Sequence, residues 1–153
     1  MERLATHFRA SGGDIRAVLE TLFASREFHN SIGNKYKTPY QFVISAVRAA
    51  GASPGNVRPL LGAMDQLGMP LFGCLTPDGY KNTEDAWLSP DATTRRISFA
   101  TTLVRSSPVT VDAARLEAIF GSTLSEGTRA AIEESPKGLR AALILGSPDF
   151  MHR

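Results

Sequence analysis

A serine with glycines two residues to either side, in Gly51-Ala52-Ser53-Pro54-Gly55, has the spacing of an activated nucleophile. That pattern works where a strand feeds a strained turn and then a helix, so that the hydroxyl stands beside an oxyanion hole. Here a helical pattern precedes the motif and Pro54 follows the serine, so the segment reads as a turn between helices and Ser53 as a coincidental match. His7, His29, Cys74 and His152 are scattered without the spacing of metal ligands, so no metal and no catalytic set is assigned. No phosphate-cradling or dinucleotide-binding glycine pattern occurs, and no cofactor is expected.

Two segments keep chemical interest. The first runs Gly79-Tyr80-Lys81-Asn82-Thr83-Glu84-Asp85-Ala86-Trp87-Leu88-Ser89-Pro90 and holds the only tryptophan. With Phe72 it can form an aromatic ledge, because large rings with polar tips suit sugar, peptide or protein contacts. Packing of Trp87 and Phe72 onto the helices is the competing structural use. Asp78 and Arg95 complete the candidate contact set Phe72, Asp78, Tyr80, Trp87 and Arg95. Of the pair Arg95-Arg96, one is expected to face solvent and the other to pair with Asp78 or Asp85 and fix the loop. Acidic residues at 84, 85 and 91 are better explained as first-turn charges at helix starts than as paired catalytic carboxylates.

The second segment is Lys35-Tyr36-Lys37-Thr38-Pro39. Free amides at a helix start beside two lysines can hold a phosphate or sulfate, which makes Lys35, Lys37 and Thr38 a candidate anion site. Between Glu27 and Asp65 the chain has no acid, while Lys35, Lys37, Arg48 and Arg58 are all positive. The alternative is a solvated face with mobile lysines.

The elements that must position these groups are helical. Ile15, Val18, Leu19, Leu22 and Phe23 mark one face of an amphipathic helix behind a capping Asp14. Phe42, Val43, Ala46, Val47 and Ala50 repeat the geometry, as do Val57, Leu60, Leu61, Met64 and Leu67. Further helices are expected near 90–105, 111–120, 125–134 and 136–146. Thr38-Pro39-Tyr40-Gln41 reads as a capping box with proline in the first turn, and Ser89-Pro90 and Ser135-Pro136 repeat the cap-plus-proline device. Glycines 51, 68 and 121 stand where helices should stop. The expected fold is all-α, a compact single domain over 1–153 with about seven short helices and one long loop, about 68–89. A faint echo links Ile15-Arg16-Ala17-Val18-Leu19 to Leu139-Arg140-Ala141-Ala142-Leu143, each followed by Ser-x-Glu/Asp-Phe, at Ser25 and at Ser147.

At 153 residues, 42% hydrophobic and 21% charged, the chain can bury a real core and is not of disordered composition. A formal charge of +2 is too small to argue for nucleic acid. No apolar run approaches the ~18 residues of a membrane span, and Met1-Glu2-Arg3-Leu4 opens no recognisable export signal. The lone Cys74 rules out an internal disulfide.

Several stretches together resemble a bacterial family catalogued as the domain of unknown function eighteen-hundred. They are Phe8-Arg9-Ala10 through Phe28, Lys35-Tyr36-Lys37-Thr38-Pro39 with Phe42-Val43, Met69-Pro70-Leu71-Phe72-Gly73, Pro77-Asp78-Gly79-Tyr80, Ala86-Trp87-Leu88 with Arg95, and Leu143 to Phe150. The resemblance implies a helical fold and no established catalytic residue. It also implies that the chain corresponds to the C-terminal part of a longer protein, often exported. The reading that follows is a non-enzymatic helical interaction module with a protein partner or a second copy. The alternative is a fragment of a hydrolase-like or carbohydrate-handling enzyme with a ligand cleft at the 78–87 loop.

Overall fold

The computed structural model describes residues 2–107 and 110–153. It is all-α: among the described residues there are nine α-helices and no strand, only a single antiparallel bridge between Tyr36 and His152. Contacts divide the chain into two compact units, Met1–Lys35 and Tyr36–Arg153, where the sequence reads as one domain. No helix among the described residues is long and apolar enough to cross a membrane.

The first unit holds α1 (Glu2–Ala10), α2 (Ile15–Phe23) and α3 (Arg26–Asn30). Asp14 caps α2 as expected, its carboxylate accepting the amides of Arg16 and Ala17. The helices α1 and α3 exceed the expected seven. The first has no capping residue before it, and the second is only five residues long, too short to show a period. An exposed ion pair of 2.6 Å joins Arg3 to Glu27, and Phe23 meets Phe28 edge-on at 5.0 Å. None of the unit's described residues is buried; Phe8, Ile15, Leu19 and Phe23 remain largely exposed.

The second unit contains α4 (Pro39–Ala49), α5 (Arg58–Gln66), α6 (Pro90–Ser106), α7 (Ala113–Phe120), α8 (Glu126–Glu134), α9 (Lys137–Gly146) and a short 3-10 turn, Asp149–Met151. Phe42, Val43, Ala46 and Val47 put the predicted face of α4 into the core. The α9 helix lies at its centre, burying Ala141, Ala142, Ile144, Leu145 and Gly146 against α6, α7 and α8. Gly146 faces α6, where a Cβ would stand in ordinary van der Waals contact with Ile97 Cα at 3.6 Å. Phe150 is the hub of an aromatic cluster, edge-on to Phe42 at 6.0 Å and to Phe120 at 5.3 Å.

The capping box at Thr38 and Gln41 forms in both directions, and Ser89 caps α6. Gly51 and Gly68 take the left-handed conformation just past α4 and α5. Ser135 departs from expectation. Only Ser135 and Pro136 separate α8 from α9, so the serine hydroxyl finishes α8 by donating to the Ala131 carbonyl at 2.7 Å. Helix α9 therefore starts without a side-chain cap.

The sequence echo has a structural counterpart. Ser25 donates its hydroxyl to the Leu22 carbonyl at 2.6 Å and accepts the Phe28 amide at 3.2 Å. Ser147 does the same with the Ile144 carbonyl at 2.8 Å and the Phe150 amide at 3.1 Å. Each serine thus ends one helix and starts the next turn, aiming a phenylalanine back at the helix before it. Ser147 is buried, so removing its hydroxyl strands the Phe150 amide away from water, while the Ile144 carbonyl keeps the Ser147 amide at 3.2 Å. Ser147→Ala is expected to cost about 1–3 kcal/mol, read as a lower urea midpoint. Ser25→Ala, in the exposed unit, is expected to cost less than about 1 kcal/mol.

Candidate functional site

The loop between α5 and α6 is held by its own polar groups. The Tyr80 hydroxyl donates to the Pro70 carbonyl at 2.8 Å, and the Trp87 indole N–H donates to the Lys81 carbonyl at 2.7 Å. The two rings meet edge-on with centroids 6.0 Å apart, and Trp87 packs against the core. Tyr80 and Trp87 are therefore half-buried struts: Trp87 takes the structural use weighed for it, Phe72 does not, and no ledge shared by the three rings forms. Once they brace the loop from inside, Phe72 stands apart.

Phe72 has a backbone φ of 60°, the only non-glycine residue with positive φ among those described, and its side chain is 96% exposed. A left-handed backbone costs an L-residue roughly 1–2 kcal/mol, and a bulky residue there is a genuine outlier. Leu75, three residues on, is 99% exposed. Beside Phe72 lies a hollow of about 340 Å³ lined by Tyr40, Met69, Pro70, Leu71, Cys74 and Tyr80. None of these carries a formal charge at neutral pH. Sequence reasoning found Phe72 but missed Tyr40, Leu71 and Leu75. Tyr40 reads in the sequence as part of the capping box of α4, and a leucine in a turn gives no periodic signal.

Asp78 and Arg95 do not join this hollow. Asp78 is exposed, its carboxyl held below the usual range by the Thr76 hydroxyl and then by backbone hydrogen bonding. Arg95 pairs with Asp91 one turn earlier at 2.6 Å, not with Asp78 or Asp85. It lines a separate cleft of about 730 Å³ between α5 and α6, together with Ser53, Asn56, Gln66, Ser98 and Thr102. No His, Asp, Glu, Lys, Cys or Tyr lines that cleft, so none of its described lining residues can serve as a general base for Ser53. Among the described residues no cluster of His, Cys, Asp and Glu could hold a metal ion.

The anion candidates are placed differently again. Lys35 belongs to the first unit. Lys37 and Thr38 belong to the second and are both buried. Thr38 and Gln41 cap one another, which occupies the first-turn amide an anion would use. The Lys37 ammonium donates to the Phe150 carbonyl at 2.5 Å and lies 3.8 Å from the centre of the Phe150 ring. The Lys37 carbonyl accepts from Arg96 Nη2 at 2.8 Å. Arg96 is fully buried against the faces of Tyr36 and Phe42, with Nε and Nη1 lacking a hydrogen-bond acceptor among the described residues. Arg96 does fix a segment, as one of the two arginines was expected to, but it fixes residues 36–38 instead of the 68–89 loop.

Burial pushes Lys37 down from its ordinary 10.5 to about 8, with Arg153 and Arg96 adding like-charge repulsion. Between about pH 8 and 10.5 the unfolded chain holds a proton that the folded chain has lost, so this group makes stability rise with pH. Below pH 8 both states keep the proton and the penalty is constant. Urea unfolding from pH 7 to 10.5 is expected to show this rise, and Lys37→Met to remove it. A pH profile unchanged by the substitution would place the ammonium in water.

No curated protein matches this chain, and no solved structure matches it. The family described as "Protein of unknown function (DUF1800)" matches over residues 1–152, essentially its whole length. With the helical fold and braced loop already in place, that match identifies the chain as a member of this family.

Proposed function

We propose that the chain is a non-enzymatic helical interaction module of a bacterial protein, binding a protein partner through the loop between α5 and α6. One observation carries this reading: a fully exposed phenylalanine is held in a left-handed conformation by a loop that Tyr80 and Trp87 brace from behind. Backbone strain at an exposed apolar residue is retained where function requires that placement. Aromatic anchors beside an uncharged hollow are the groups that dominate protein interfaces. The enzyme alternative needs Asp78, Tyr80, Trp87 and Arg95 around one cleft. Tyr80 and Arg95 line different concavities, and Asp78 and Trp87 line neither of them.

Phe72→Gly separates strain from contact. Glycine accepts φ of 60° without a Cβ penalty, so the variant is expected to be more stable by about 1 kcal/mol, a rise of a few degrees in Tm. Its binding to the partner is expected to fall at least tenfold, the loss expected of an aromatic anchor. The immobilised chain and the variant, compared for retained protein by mass spectrometry, give the second readout. If nothing, including free copies of the chain, is retained in a Phe72-dependent way, the reading fails.

A further inference from the structure

The loop carries a projection and a recess side by side, both apolar. Phe72 lines the rim of the 340 Å³ hollow yet is 96% exposed, so it does not fill the hollow itself. A cavity of about 150 Å³ accepts benzene, so this one has room for a phenyl ring and part of a neighbour. A surface that presents a knob and a matching hole next to each other is complementary to its own two-fold image. Resting on the interaction reading above, we infer that the partner at this site is a second copy of this chain, with Phe72 of each copy seated in the other's Tyr40–Met69–Pro70–Leu71–Tyr80 hollow.

Charge does not oppose this pairing. The hollow is lined without a formal charge, and the surrounding loop carries both signs, at Asp78, Lys81, Glu84 and Asp85. The area is also sufficient. Phe72 and Leu75 are almost wholly exposed, and Leu71 and Tyr40 nearly half so. Covering these groups removes roughly 500 Å² per copy, or about 1,000 Å² for the pair, the lower edge for a specific interface. The dimer is accordingly a weak one, forming and dissociating with concentration. Cys74 lines the same hollow, so the two copies bring their only cysteines into one interface.

Sedimentation velocity of the 153-residue chain over a wide concentration range tests this, with Phe72→Asp as comparison. The wild type is expected to shift from monomer to dimer, and the variant to associate at least about tenfold more weakly. A short bismaleimide should join the wild type through Cys74 and leave Phe72→Asp and Cys74→Ser uncoupled. Association that persists in Phe72→Asp, through the exposed side chains of the first unit for example, overturns the inference, as does a wild type that stays monomeric. A monomeric wild type that still retains another protein through Phe72 overturns the second-copy partner alone. A Phe72→Asp variant indistinguishable in both assays removes the interaction reading as well.

Discussion

Two positive charges sit inside the larger unit, and its architecture is arranged around the cost of keeping them there. Lys37 and Arg96 are both buried, and neither forms an ion pair with a carboxylate among the described residues. Backbone carbonyls and ring faces take the place of counter-ions: Phe150 supplies both to Lys37, while Tyr36 and Phe42 flank the guanidinium. Such contacts recover part of the desolvation penalty, and more so when water is excluded. The geometry must therefore be kept closely. The extended segment Tyr36–Thr38, the middle of α6 and the turn at Phe150 are locked to one another by these two side chains. The Lys37 amide adds a bond to the Met151 carbonyl at 2.8 Å, and Tyr36 meets His152 edge-on.

This arrangement explains which parts of the molecule were legible in the sequence. Helices whose apolar residues repeat at 3.6 and whose first turns carry a cap and a proline emerge where expected, α4 above all. Their information is local. The roles of Lys37 and Arg96 were not legible, because their partners lie 113 and 59 residues away and lysine and arginine are ordinarily solvated. The same reason hid the inward role of Tyr80: a loop carbonyl that accepts from an aromatic tip leaves no mark in the sequence, whereas core packing of Trp87 was one of its two legible uses. Phe72 was singled out for its chemistry, whereas its strained backbone belongs to the folded loop alone.

The two units handle apolar surface in opposite ways. The larger one closes a core around α9 and leaves its long loop proud, with Phe72 and Leu75 in water. The smaller one has no buried residue among those described, so its three helices owe little to a core of their own. Nine- and five-residue helices are marginal in isolation, which puts weight on caps such as Asp14 and Ser25. Burial thus differs sharply along the chain: a cored unit over residues 36–153, and a lightly built helical segment before it.

The tie between residue 37 and residue 150 also sets an order of events during synthesis. At 5–20 residues per second, the roughly one hundred residues between them take on the order of ten seconds to emerge. For that interval Lys37 and Phe42 of α4 have no Phe150 to cover or ligate them. Contacts of such sequence separation also raise contact order and slow folding of a helical protein that would otherwise be fast. The nascent chain therefore spends seconds with its cations hydrated and its helices only loosely collapsed. Final compaction waits for the arrival of a single short turn.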